Sequence, residues 1–333
     1  MKPRIQTTVV GSYPIPDWLP ALPSEQALLD ATRVVFAIQE SAGLDLVVDG
    51  ELYRFDVNHP DTNGMIDYFV KPLAGVRSEI GRADSHVFVQ QKGMGFRAKP
   101  AGVVEGAIAE GTLDIVGDYR RARGLTKARL KFTLTGPHML SKTLFDYHYK
   151  DQAALCRALA GVLAQQVAEI EADVVQIDEA NIPGHPNEAE WAAEAINIVL
   201  DAIKGEKAVH LCFGNYGGQT IQKGAWDKLI GFMNMLRADH LVLETARRSI
   251  EEVAYLKEVK PGIGIGLGVV DIKSTIVESA EEIARRIEEA EKTIGEGRVQ
   301  YIHPDCGFWM LKRSIADRKM EALVKGRDLY LGL

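Results

Sequence analysis

Alternation is the feature that most narrows the folds open to this chain. Short apolar runs rich in β-branched residues recur at 5–12, 46–51, 128–136, 173–179, 207–214, 241–245, 262–271 and 299–303. Most are followed by a stretch whose apolar residues fall at helical spacing: 24–42, 151–172, 186–204, 225–235, 249–259, 279–294 and 311–326. Ser24 is placed as an N-cap and Gly43 as a helix stop. Eight strand–helix units in one chain predict an α/β fold, a single (β/α)8 TIM barrel spanning residues 1–333. The long excursion at about 53–127 is an insertion after the second strand. Its alternating segment His86 to Gln91 predicts a β-hairpin there.

The rival is a doubly wound open sheet, but no Gly-x-Gly-x-x-Gly follows the first strand. Gly262, Gly264, Gly266 and Gly268 alternate inside a strand, which suits close backbone packing rather than a phosphate cradle. Composition serves mainly to exclude. A net charge of −7 argues against a nucleic-acid backbone binder. No apolar run approaches the ~20 residues that span a bilayer, so no membrane partner is expected. The N-terminus lacks a signal-peptide core, and three cysteines are too few for a disulfide framework; a reducing, cytoplasmic setting is expected.

A barrel gathers the C-terminal ends of its strands at one mouth, and active sites form there. Ser12, Glu51, Gly136, Asp178, His210, Cys212, Glu244, Asp271 and Cys306 all lie at or near such ends. His210 and Cys212 are two apart on a strand, so both point to one face. Imidazole and thiolate together make half a zinc site, and Glu244 and Cys306 are the candidates to complete it. Cys156 sits in a helical pattern as a small buried residue.

These strand-end residues come in blocks: Thr-Thr-Val-Val-Gly-Ser-Tyr-Pro at 7–14, Asp-Gly-Glu at 49–51, Leu-Thr-Gly-Pro at 134–137 and Gln-Ile-Asp-Glu at 176–179. They continue with His-Leu-Cys at 210–212, Leu-Glu-Thr at 243–245, Gly-Val-Val-Asp-Ile at 268–272 and His-Pro-Asp-Cys-Gly at 303–307. In this order they resemble the catalytic C-terminal barrel of cobalamin-independent methionine synthase, especially its short single-barrel relatives. The resemblance implies a cytoplasmic zinc (Zn2+) methyltransferase of amino-acid biosynthesis that methylates the thiol of homocysteine to give methionine. It implies His210, Cys212, Glu244 and Cys306 as metal ligands. Ser12 would take the amino-acid carboxylate, and Glu51 and Asp178 its ammonium group.

The family's Asp-Ile-His motif reads Asp271-Ile272-Lys273 here, which makes Asp271 and Lys273 the candidate catalytic pair for proton transfer. A folate nitrogen leaves poorly unless protonated, and the family's imidazole is missing. The second, folate-gripping barrel of the full-length enzymes is not expected here either. The donor expected on that ground is therefore a methylcorrinoid (methylcobalamin), free or on a corrinoid carrier protein, ahead of a methylated pterin or polyglutamylated methyltetrahydrofolate. Alkyl transfer to another thiol such as coenzyme M is the alternative. The insertion at 53–127 has two alternative roles, a docking surface for the donor or a contact in a homo-oligomer.

Overall fold

The computed structural model describes residues 5–55, 64–90, 97–214 and 224–333. Its strands are β1 (Gln6–Thr7), β2 (Ala74–Arg77), β3 (Gly102–Ala109), β4 (Lys131–Thr135), β5 (Leu144–Asp146), β6 (Val174–Glu179), β7 (Glu206–Leu211), β8 (His240–Leu243), β9 (Gly264–Val270) and β10 (Val299–Pro304). Seven of them form one parallel sheet in the order β1-β10-β9-β8-β7-β6-β4. Isolated parallel bridges Thr8–Leu46 and Val47–Leu130 link its two edges. The second strand expected at 46–51 thus contributes two bridging residues, because Gly50 and Glu51 turn the chain away in left-handed conformations (φ 79° and 58°).

Strands β4, β6 and β9 are buried at every position, as expected of parallel strands covered on both faces. One face packs the sheet's interior, where Val10, Leu46, Val174, Ala208, Val242 and Tyr301 meet. The other face lies under helices that include Gln152–Val167, Ala189–Ala202, Ala280–Ile294 and Arg313–Leu331. Ser24 does cap the helix Glu25–Ala42, its hydroxyl accepting from Ala27 N at 3.0 Å, and Gly43 ends it at φ 85°. Gly264, Gly266 and Gly268 pack closely within β9 as their spacing implied, but Gly262 lies in an exposed turn before the strand with open space around it. A Cβ at Gly266 would stand 2.7 Å from the Leu241 carbonyl oxygen and 3.0 Å from the His303 ring.

The insertion departs from expectation. Residues Arg82–Gln90 are a helix, not a hairpin strand. Asp84 and Phe88, four apart, are buried, while Val87 and Val89 are exposed, so burial follows the helical period and overrides the alternation. An antiparallel pair does exist, formed by β2 and β3 on either side of that helix, with β5 added parallel to β3. Residue 91 lies outside the described residues. Among those described, no helix is long and apolar enough to cross a membrane.

Candidate metal and substrate site

Parallel pairing sets the site. Asp178 on β6 is in register with His210 on β7, and His210 with Val242 on β8. The ligand-capable atoms of His210, Cys212 and Cys306 lie within 4.8 Å of one another. His210 Nδ1 donates to the Val242 carbonyl at 2.8 Å, which leaves Nε2 with its lone pair. Nε2 is buried and has no hydrogen-bond partner among the described residues. A buried acceptor without a donor is costly unless something electrophilic meets it. With two thiols beside it and the far nitrogen braced by a carbonyl, the set has the chemistry of a zinc site.

The three groups hold their protons unevenly. The Cys306 thiol is pulled down by the hydrogen bond from Cys212 and by His210, against the opposing effect of burial. Cys212 is pushed up by the same hydrogen bond and by burial. Burial alone would depress His210; the adjacent Cys306 sulfur and the Asp178 carboxylate outweigh it and raise the imidazole.

Glu244 stands beside this cluster but is otherwise engaged. Its Oε1 receives Lys273 Nζ at 2.7 Å and its Oε2 the Phe213 N–H at 2.9 Å. Lys273, the residue expected to move a proton, is one half of this buried ion pair. Asp271 accepts the Lys273 N–H at 2.8 Å and so shapes the turn that presents the lysine. Asp305 ties the cluster's segments together, taking the N–H groups of Thr245 and Ala246 at 2.9 and 2.8 Å.

The three expected substrate residues lie on the same side. The Ser12 hydroxyl rests against Gly307, where any Cβ would overlap it, and the Ser12 carbonyl accepts from Phe308 N at 2.8 Å. Asp178 is buried, and burial pushes it up to about 7, with Glu51 adding to the rise and His210 and Gln176 opposing it. Glu51 Oε1 takes the Thr133 hydroxyl at 2.5 Å and faces Arg54 Nη1 at 3.2 Å. Arg54 therefore neutralises Glu51, a pairing the sequence reading missed although the two are only three residues apart.

Two further residues escaped that reading. Lys131 Nζ donates to Gln176 Oε1 at 2.8 Å, and Gln176 Nε2 donates to Asp178 Oδ1 at 2.7 Å and to the Val10 carbonyl at 3.0 Å. The available signal was a lysine inside a strand with no other charge, at the same parity as Thr133 and Thr135. Glu179 turns to the other face and caps the helix Pro137–Thr143 through the N–H groups of His138 and Met139.

A curled parallel sheet carrying an imidazole and two thiols at its strand ends defines an α/β enzyme with a centre suited to a soft metal. The chain belongs to the cobalamin-independent synthase family, whose catalytic-domain model matches residues 5–327. It is 29% identical over 343 residues to a methionine synthase of Thermococcus kodakarensis, covering 98% of this chain and 94% of that protein. A methionine synthase of Pyrococcus horikoshii is 28% identical, with coverage of 98% and 93%. The fold also matches a B12-independent methionine synthase from Shewanella sp. W3-18-1 solved with selenomethionine, at TM-score 0.80 and 22% identity, covering 99% of this chain and 98% of that one.

Membership of a cobalamin-independent family overturns the expected methylcorrinoid donor and, with it, the corrinoid carrier protein. That donor was expected partly because Lys273 stands where the family carries a histidine proton donor. With its ammonium group committed to Glu244, the lysine says nothing about the donor's leaving group.

Proposed function

We propose that the protein is a zinc-dependent methyltransferase that makes methionine from homocysteine, taking the methyl group from a methylated pterin such as methyltetrahydrofolate. The observation that carries this reading is the unpartnered Nε2 of His210 lying with two cysteine sulfurs beside Ser12 and Asp178. We further propose that the bridges at Leu46 and Val47 close the sheet into an eight-stranded (β/α)8 barrel within a single domain, which gives these groups one mouth.

His210, Cys212 and Cys306 would hold the metal. Bound there, zinc would lower the pKa of the acceptor thiol and present it as a thiolate at neutral pH. The remaining work falls to the chain. Ser12 offers a hydroxyl to the amino acid's carboxylate, and Asp178 offers a carboxylate to its ammonium group. Glu51 shares Arg54 and so contributes less net charge than Asp178. Gln176 holds one Asp178 oxygen and leaves the other for the ligand, using an amide itself fixed by Lys131. Buried walls around the site limit water access to the thiolate. A sulfonated thiol such as coenzyme M has no ammonium group and would meet the Asp178 charge as repulsion.

The test is methionine formation by the purified, zinc-loaded protein given homocysteine with mono- or polyglutamylated methyltetrahydrofolate. Homocysteine-dependent methionine is expected. Its absence with every methylated pterin refutes the reading.

A further inference from the structure

We propose that Arg54 determines which acceptor the site takes: by offsetting the charge of Glu51, it admits a thiol that carries an α-carboxylate beside its ammonium group. This rests on the reading of Ser12, Glu51 and Asp178 as the amino-acid pocket, and goes beyond it by naming the residue that selects the zwitterion. Arg54 and Glu51 are 1% and 5% exposed in their side chains, with Arg54 Nη1 3.2 Å from Glu51 Oε1. The Thr133 hydroxyl links them, donating to Glu51 Oε1 at 2.5 Å and accepting from Arg54 Nη2 at 2.9 Å. Both contacts of the Glu51 carboxylate fall on Oε1, which leaves Oε2 for the ammonium group.

The guanidinium is built into the pocket wall. The rings of Tyr53, Tyr68 and Phe69 lie 5.5, 5.9 and 5.1 Å from its central carbon. Its Nη2 also donates to the Thr133 carbonyl. Yet Nε, and Nη1 despite its closeness to Glu51, make no hydrogen bond within the described residues. A guanidinium placed only to fasten the loop would use those donors, because leaving them unmade is costly. What the group supplies here is positive charge beside Glu51.

The spacing of the pocket shows why that charge is needed. Glu51 Oε1 presses on Gly11, where an added Cβ would stand 2.1 Å from it, and Gly11 adjoins Ser12. The ammonium and carboxylate groups of an α-amino acid share one carbon. A ligand that gives its ammonium group to Glu51 and Asp178, and its carboxylate to Ser12, therefore brings that carboxylate close to the Glu51 anion. Asp49, also buried, accepts the Glu51 N–H at 2.8 Å and adds to the negative field around Arg54. Unopposed, these anions would favour a bare thiol-amine over an amino acid. Arg54 reverses that preference.

Calorimetric Kd values of the zinc-loaded protein are compared for homocysteine and for 3-mercaptopropylamine, which is homocysteine without its carboxylate. The wild type should prefer homocysteine by about tenfold or more, and R54M should cut that preference by about tenfold or more. R54K keeps the charge and should stay closer to the wild type than to R54M. E51Q removes the anion and leaves the guanidinium unopposed, so it should shift the preference the other way, further toward homocysteine. Circular dichroism melts establish folding, with R54Q as the substitute if R54M does not fold. An R54M protein that loses both ligands equally makes Arg54 a structural residue and overturns the proposal. So does a wild type that binds the two thiols alike, or an E51Q preference that falls. A wild type that binds neither thiol would instead sink the reading of the amino-acid pocket itself.

Discussion

Lys131→Met isolates the energetic cost of the polar group buried beneath the site. Burial drops the Lys131 ammonium from the ordinary lysine value of 10.5 to about 7, against the attraction of Asp178, Glu51 and Glu206. At about 1.4 kcal/mol per pH unit, that gap amounts to about 5 kcal/mol of lost stability once both states are protonated. The sign follows from the depressed value. Above about 10.5 the lysine is neutral in both states and the penalty is absent. It accumulates as pH falls from there to about 7, because only the unfolded chain then gains the proton. Replacement by methionine removes the penalty but leaves Gln176 Oε1 unpaired, which costs roughly 1–3 kcal/mol. The variant should therefore be more stable than the wild type by about 2–4 kcal/mol near pH 7. Denaturant unfolding of both proteins between pH 6 and pH 10 gives the comparison, and their difference cancels the titrating groups that do not interact with Lys131. That advantage should shrink steadily above pH 7. A pH-independent difference, or a variant less stable than the wild type at pH 7, refutes the reasoning. The same change frees the Gln176 amide that orients Asp178, so stability should be gained at the expense of homocysteine KM.

Asp178→Asn should raise the homocysteine KM by about tenfold or more while leaving zinc content unchanged, a split read by steady-state kinetics beside metal analysis. Burial would raise Glu188, but hydrogen bonds from His138 and Lys142 outweigh it and hold the carboxylate at about 2. Its stabilisation is present above the ordinary value of 4.5 and fades as pH falls toward 2. Glu188→Gln should flatten that acid limb by roughly 1–2 kcal/mol after allowance for partial exposure, as acid titration by circular dichroism would reveal. Gly266→Ala drives a methyl group toward the Leu241 carbonyl and the His303 ring, and should destabilise the sheet by about 1–3 kcal/mol in denaturant unfolding.

The parts of the site legible in the sequence were those fixed by strand parity and position. His210 and Cys212 share a face because they are two apart, and Cys306 and Ser12 join them because parallel strands deliver their ends to one side. The helix Glu25–Ala42 was legible at both ends because Ser24 and Gly43 act locally. What escaped depends on which strand lies beside which. Lys273 meets Glu244 only because β9 pairs with β8, and Lys131 meets Gln176 only because β4 pairs with β6. No spacing along the chain encodes those meetings. The helix at Arg82–Gln90 was missed for a different reason. Its valines alternate like a strand, but Asp84 and Phe88 are the residues it buries. The donor was misjudged because neither a lysine in place of a motif histidine nor the lack of a second barrel specifies which methyl donor the family uses.

X-ray absorption at the zinc edge, recorded on the purified protein with and without homocysteine, tests the central claim most directly. The account predicts one zinc per chain with two sulfur neighbours and one imidazole, and a third sulfur when homocysteine is added. A protein that retains no stoichiometric zinc, or whose zinc gains no sulfur from the thiol, contradicts it.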